Sequence, residues 1–235
     1  MKRNLKTSII LNGIIFLLVI LATIIMFTGF KFMHGAEPIL ETTKLGMFKF
    51  FTVDSNILMG VVSLVFMICE IKLLNGNIKL ISTRLYILKL MSTVAVSLTF
   101  FVAFGYFVPI TNWKVLPMIM NSNLFFHLII PVLSMITFMF FEKTNKLKFK
   151  YTFIGLIPTF IYGIYYLINV LIHMENFKVS PTYDFYRFVQ NGVWTSVIVI
   201  PIIFIITYAI SFILWRLNRK INWENYIFVI ELICK

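Results

Sequence analysis

Residues 8–30 read SIILNGIIFLLVILATIIMFTGF, a stretch without a single charged side chain. A helix rises about 1.5 Å per residue, so a run this long crosses the roughly 30 Å apolar layer of a bilayer. A helix apolar on every side has no face to offer water. The stretch therefore decides the solvent before it decides anything else.

Working outward, five more predominantly apolar stretches follow, from about Phe50 to Cys69, Ile87 to Val108, Ser122 to Phe141, Thr152 to Ile172 and Thr195 to Trp215. The whole composition agrees: 60% of residues are hydrophobic, 13% are charged and the mean hydropathy is +0.94, well beyond a soluble domain. Backbone groups in lipid must bond within their own segment, so spans this long are helices; barrel strands would be shorter and alternating. The expected fold is all-α, a polytopic membrane protein in which residues 1–235 form a single bundle of six transmembrane helices. No Ser/Gly/Pro-rich linker, fixed-period repeat or low-complexity tract marks a second domain. The opening Met-Lys-Arg-Asn-Leu-Lys has the charge of a signal peptide, but its apolar run is too long and lacks a small-residue cleavage site, so it is read as an anchor.

Of the 21 Lys and Arg residues, only Lys31, Lys44, Lys49, Lys114, Lys178 and Arg187 fall in loops on the side opposite the N-terminus. That asymmetry predicts both termini in the cytoplasm and a cell-membrane location. It also accounts for the net charge of +12 as contact with anionic headgroups, and no nucleic-acid-binding pattern is present to use it otherwise. Cys69 and Cys234 are isolated, without metal-ligand spacing, and read as packing residues; no metal or other cofactor is expected. Trp113, Trp194 and Trp223 read as interface anchors, and Glu70 as facing cytoplasmic water or Lys72.

Polar residues inside the spans are the informative exceptions. FFTVDSNIL, residues 50–58, opens the second span with Thr52, Asp54, Ser55 and Asn56. At about 100° per residue, Thr52, Asn56, Met59 and Ser63 share a face, with Ser55 at its margin and Asp54 turned away. NSNLFFHLIIP, residues 121–131, opens the fourth span and aligns Asn123, His127 and Ser134, with His127 about 7 Å down the axis. Pro131 cannot donate to the His127 carbonyl, which predicts a bend beside the imidazole. The fifth span carries Pro158, Tyr162, Tyr165 and Asn169 in one stripe, with Tyr166 and His173 to one side.

Each residue has a structural use as well. Thr52, Asp54 and Ser55 are all good helix N-caps, His127 could be a neutral histidine satisfied by a neighbouring helix, and Tyr166 and His173 suit an aromatic belt. Ionisable side chains at this depth are nonetheless expensive enough to count as candidates for function. Thr52 needs an adjacent base to act as a nucleophile, and His127 is the candidate at matching depth. Asn56, Asn123 or a tyrosine hydroxyl could then donate to a developing oxyanion.

FTVDSNIL in the second span, HLIIP in the fourth, and the Pro158, Tyr162, Tyr165 spacing followed by YDFYRF resemble the androgen-induced and androgen-dependent membrane protein family and its bacterial relatives. The resemblance implies six spans and an intramembrane threonine hydrolase of fatty acid esters of hydroxy fatty acids, with Thr52 as nucleophile and His127 as base. The Asp54-Ser55-Asn56 run departs from the animal members. The partners expected are the bilayer and a lipid ester substrate, with Lys49, Lys178 or Arg187 near the surface as candidates to hold a substrate carboxylate. Two other readings fit a basic six-helix chain: the substrate-binding membrane subunit of a small-molecule importer, and a non-catalytic structural membrane protein.

Overall fold

The computed structural model describes residues 2–36, 42–142, 144, 146–176, 178–189 and 193–233, with side chains undescribed at 2–3, 110, 193–197 and 220–233. The expectations for Cys234, Trp194 and Trp223 fall outside what is described. Among the described residues six helices are long and apolar enough to cross a membrane, and the chain is a multi-pass membrane protein. They are α1 (Lys2–Thr28), α2 (Phe51–Leu74), α3 (Thr83–Phe107), α4 (Leu124–Phe141), α5 (Tyr151–Ile172) and α6 (Val193–Ile233). Among the described residues the only sheet is an antiparallel pair after α5, β1 (Met174–Glu175) with β2 (Lys178–Val179).

The arrangement inverts the rule for soluble proteins. Large aliphatic side chains such as Leu17, Ile161 and Ile205 are exposed where lipid would lie, while Ser92, Thr93 and Ser97 of α3 are fully buried. Thr93 and Ser97 satisfy their hydroxyls on the carbonyls one turn earlier, which keeps polar side chains inside without orphaned protons. α3 is the central rod: 61% of its most apolar stretch is buried, against 22% for α5 and for α6. Those two peripheral helices therefore carry the bundle's most lipid-accessible wall. α1 crosses close to α2, since a Cβ placed on Gly60 would lie 2.9 Å from Val19 Cγ1. Only glycine allows that approach.

Local irregularities set the site. Ser82 caps α3 by accepting from the Leu85 amide, so this helix starts earlier than Ile87, the expected start. α4 absorbs Pro131 through a π turn over Leu124–Ile129, where Ile130 N–H donates to the Phe125 carbonyl. The wide turn holds His127, and π turns of this kind recur at functional sites. α5 is interrupted at Gly155, where a Cβ would collide with Ser211 Oγ, so α6 passes close to the break.

Candidate functional site

Phe50 is the N-cap of α2 and supplies no side-chain cap, and Thr52 lies inside the helix, past the capping position. The capping role open to Thr52 in the sequence is thus overturned. Its Oγ1 faces His127 Nε2 across 3.4 Å, with both residues buried at 8% and 3% exposure. The cap is supplied from far along the chain: Phe51 N–H donates to the Tyr186 hydroxyl at 2.9 Å.

The tautomer of His127 follows from its other nitrogen. Nδ1 lies 3.0 Å from the Met118 carbonyl, an atom that can only accept, so Nδ1 carries the proton and Nε2 presents a lone pair to Thr52. Met118 sits in a tight turn over Leu116–Met118 and is itself fully buried, which fixes the ring from behind. The backbone carbonyl orients the ring through Nδ1–H, as a carboxylate does in many nucleophile–base pairs. A 3.4 Å contact is long for an O–H···N bond, and contacts of this kind tighten when a substrate is bound.

Both side chains open into one pocket of about 90 Å³, room for a few waters or the reacting end of a chain molecule. α3 contributes Thr99 and Val102, α5 contributes Thr159, Tyr162 and Gly163, and α6 contributes Ile203 and Phe204. The loop after β2 closes it with Tyr186 and Phe188. That loop is ordered by Asp184, a fully buried carboxylate that accepts from the Phe188 and Val189 amides at 2.9 and 3.0 Å and from the Tyr166 hydroxyl. Burial pushes the Tyr186 phenol above its ordinary range, so it stays a neutral hydroxyl. Tyr162 donates to the Lys49 carbonyl at 2.5 Å, tying α5 to the turn that precedes α2.

The hydroxyls around this pocket are not equivalent. Thr99 donates to the Val96 carbonyl at 2.7 Å, and Tyr162 and Tyr166 are committed as described. Thr159 Oγ1 is buried at 7% exposure with no hydrogen-bond partner among the described residues. A buried hydroxyl without a partner costs about 1–3 kcal/mol, and at the wall of a pocket that cost is what a ligand contact would remove.

No family model, curated protein or solved structure matches this chain. The site is therefore read from its own atoms.

Those atoms correct several sequence expectations. Asn56 is not an available oxyanion donor, because its amide donates to the Thr52 carbonyl at 2.7 Å and the Phe126 carbonyl at 3.3 Å; it braces α2 against α4 beside the pair. Ser55 donates to the Thr52 carbonyl at 3.1 Å, and Asp54 is exposed on the opposite face. Asn123 is buried but does not line the pocket. Tyr165 is 47% exposed, while Tyr166, one residue on, points inward, so the stripe runs Thr159, Tyr162, Tyr166 rather than through Tyr165 and Asn169. Asn169 and His173 hold the loop instead: Asn169 donates to the Tyr183 carbonyl at 2.9 Å, and the His173 ring stacks on Tyr183 at 3.5 Å. Arg187 is exposed with φ 59°, and Lys49 Nζ lies over the Phe50 and Phe185 rings, so neither cation reaches the pocket. Lys178 is exposed on β2.

Sequence reasoning missed Thr159, Tyr186 and Asp184. Thr159 follows a proline in an apolar helix and looks like an ordinary back-bonded hydroxyl. Asp184 and Tyr186 lie in a loop whose fold no periodicity reveals.

Proposed function

We propose that this protein is an intramembrane hydrolase of lipid esters, with Thr52 as nucleophile and His127 as general base. The observation that supports it most directly is the buried contact from Thr52 Oγ1 to an imidazole nitrogen left unprotonated because Met118 holds the other N–H. The family resemblance in the sequence points the same way.

Thr52 Oγ attacks the ester carbonyl carbon as its proton passes to His127 Nε2, giving a tetrahedral oxyanion and an imidazolium whose Nδ1–H remains on the Met118 carbonyl. Collapse breaks the bond to the alcohol oxygen, which leaves with the proton from Nε2. Water then gives a proton to Nε2 and attacks the acyl-threonine; the second collapse frees the fatty acid and returns the proton to Thr52. The Thr159 hydroxyl, unpartnered on the same pocket wall, is the donor assigned to the oxyanion.

The walls suit the acyl part of the substrate. They are mostly aliphatic and aromatic, and the side formed by Gly163 and Phe204 lies between α5 and α6, the least covered helices, so an acyl chain enters from the bilayer. The charge asymmetry of the loops supports a cell-membrane orientation with both termini in the cytoplasm and the pocket in the outer half of the bilayer.

Fluorophosphonate labelling of the purified chain tests the reading. Labelling is expected in the wild type and absent in Thr52→Ala, with hydrolysis of a fatty acid ester of a hydroxy fatty acid lost in parallel. A Thr52→Ala protein that still takes the label and turns over ester removes the nucleophile and the proposal with it.

A further inference from the structure

The far end of the bundle from Thr52 buries a charged cluster that ester chemistry does not use. Lys89 of α3, counted in the sequence among headgroup-facing cations, is fully buried. Its Nζ donates to Asn12 Oδ1, to Ser63 Oγ at 2.9 Å and to Glu142 Oε1 at 3.1 Å. An ammonium has three protons, and these acceptors use all of them. Glu70, expected to face water or Lys72, is 2% exposed, and Glu142 is 1% exposed. One amide nitrogen touches both carboxylates: Asn12 Nδ2 lies 2.9 Å from Glu142 Oε1 and 3.4 Å from Glu70 Oε2. Glu142 Oε2 is buried with no hydrogen-bond partner among the described residues.

The charges of this sealed group do not cancel. One ammonium stands against two carboxylates, and among the described residues no other cation reaches them. Lys6 of α1, Lys72 of α2, Arg84 of α3 and Arg219 of α6 are all exposed. Lys146 donates to the Ile81 carbonyl. The other groups facing the carboxylates are neutral: Ser8 of α1, the Tyr86 phenol of α3, and Asn218 of α6, which donates to the Glu142 backbone carbonyl. Two carboxylates that share a donor in a low-dielectric interior cannot both stay ionised beside one ammonium at reasonable cost.

We propose that this cluster is a proton-binding site, in which Glu70 and Glu142 hold a single proton between them and so bring the buried group to neutrality. A metal ion fits poorly. Hard cations need six or more oxygens, Glu142 Oε1 is already covered by N–H donors, and among the described residues no group of three or more His, Cys, Asp or Glu could hold a metal. A proton needs one open oxygen, and Glu142 Oε2 is open. The site joins α1, α2, α3 and the end of α4, so its occupancy sets how firmly α1 is held to the rest.

Burial pushes the Glu142 carboxyl above the ordinary carboxylate range, so the folded state keeps a proton that the unfolded chain has already released. Stability is then greatest at low pH and falls as pH rises through the folded-state titration. The test uses the full chain in detergent micelles. Infrared spectra at neutral pH should show the C=O stretch of one protonated, deuterium-sensitive carboxyl. The wild-type melting temperature should fall as pH rises from about 5 to about 8. Glu70→Gln and Glu142→Gln should each lose the band, and Glu70→Gln, which leaves a neutral Lys89–Glu142 pair, should flatten the pH profile. The proposal is overturned by an absent band at neutral pH, by a Glu70→Gln profile as steep as the wild type, or by a band and profile that follow sodium or potassium concentration rather than pH. Labelling at Thr52 plays no part in these readouts, so they stand apart from the ester chemistry.

Discussion

At one end of the bundle Thr52 and His127 share a single 3.4 Å contact beside open space, while at the other Lys89 spends all three of its protons on partners at zero exposure. Both regions set hydroxyls, amides and ionisable groups in the same apolar bundle, and both tie α2 and α4 together. The difference lies in what is left unspent. Around Thr52 a hydroxyl and an imidazole lone pair face a pocket, which is what chemistry on an outside molecule requires. Around Lys89 the donors are consumed and only a carboxylate oxygen is left open, which suits nothing larger than a proton. Burial of polar groups alone does not separate a reaction site from an internal clamp; leftover valence next to space does.

The largest effect that would break this contrast is at Thr52. Thr52→Ala should lower ester turnover by about 10⁴-fold, as loss of a nucleophile does, while leaving the melting temperature within a few degrees of wild type. The mutation deletes one long contact, so a variant that loses both activity and fold would place Thr52 in the clamp class instead.

Lys89→Met should show the mirror image. It leaves the buried Glu70–Glu142 pair with an uncompensated negative charge and should cost about 3–5 kcal/mol of stability, read by thermal unfolding in detergent, with turnover per folded molecule unchanged. Full stability in Lys89→Met would mean that the cluster holds nothing together.

Thr159→Val sharpens the comparison, since valine keeps the shape and removes the unspent hydroxyl. Turnover should fall by about 10²-fold through kcat, with KM nearly constant and stability equal or slightly raised, because an unpartnered buried hydroxyl is a net cost. Thr159→Ser should restore activity. A KM effect alone would make Thr159 a wall residue.

How much of this was legible beforehand divides along the same line. The six helices and their approximate bounds follow from apolar runs, because length and hydropathy are local properties. The meeting of Thr52 with His127 follows from depth along two helices, and the structure brings those side chains together. The Lys89 cluster was invisible for a physical reason: Glu70, Lys89 and Glu142 all sit near helix ends, where charge patterning reads them as headgroup contacts. Their burial depends on Asn12, a lone amide in the very stretch that defined the fold. Tyr165 and Tyr166 were likewise inseparable by stripe alone, because residues three and four positions after Tyr162 in the continuous helix Ile157–Ile172 both lie beside its face, and packing decides which of them turns inward.

The smallest effect concerns the lid over the open region. Tyr186 accepts the Phe51 amide proton at the start of α2, a position where a short polar side chain would normally cap, and it lies between the Tyr162 and Tyr166 rings at 6.3 and 5.5 Å. Tyr186→Phe keeps the ring and deletes the acceptor, leaving that amide unsatisfied, which should cost about 1 kcal/mol and lower the melting temperature by about 2–4 °C. Tyr165→Phe changes the same atom one turn from the pocket on an exposed residue and should cost nothing measurable. Because the Tyr186 hydroxyl anchors the turn that carries Thr52, its loss should also reduce kcat several-fold while Tyr165→Phe leaves it alone. If the two variants behave alike, the loop is only a cover, and the first turn of α2 holds Thr52 in place without it.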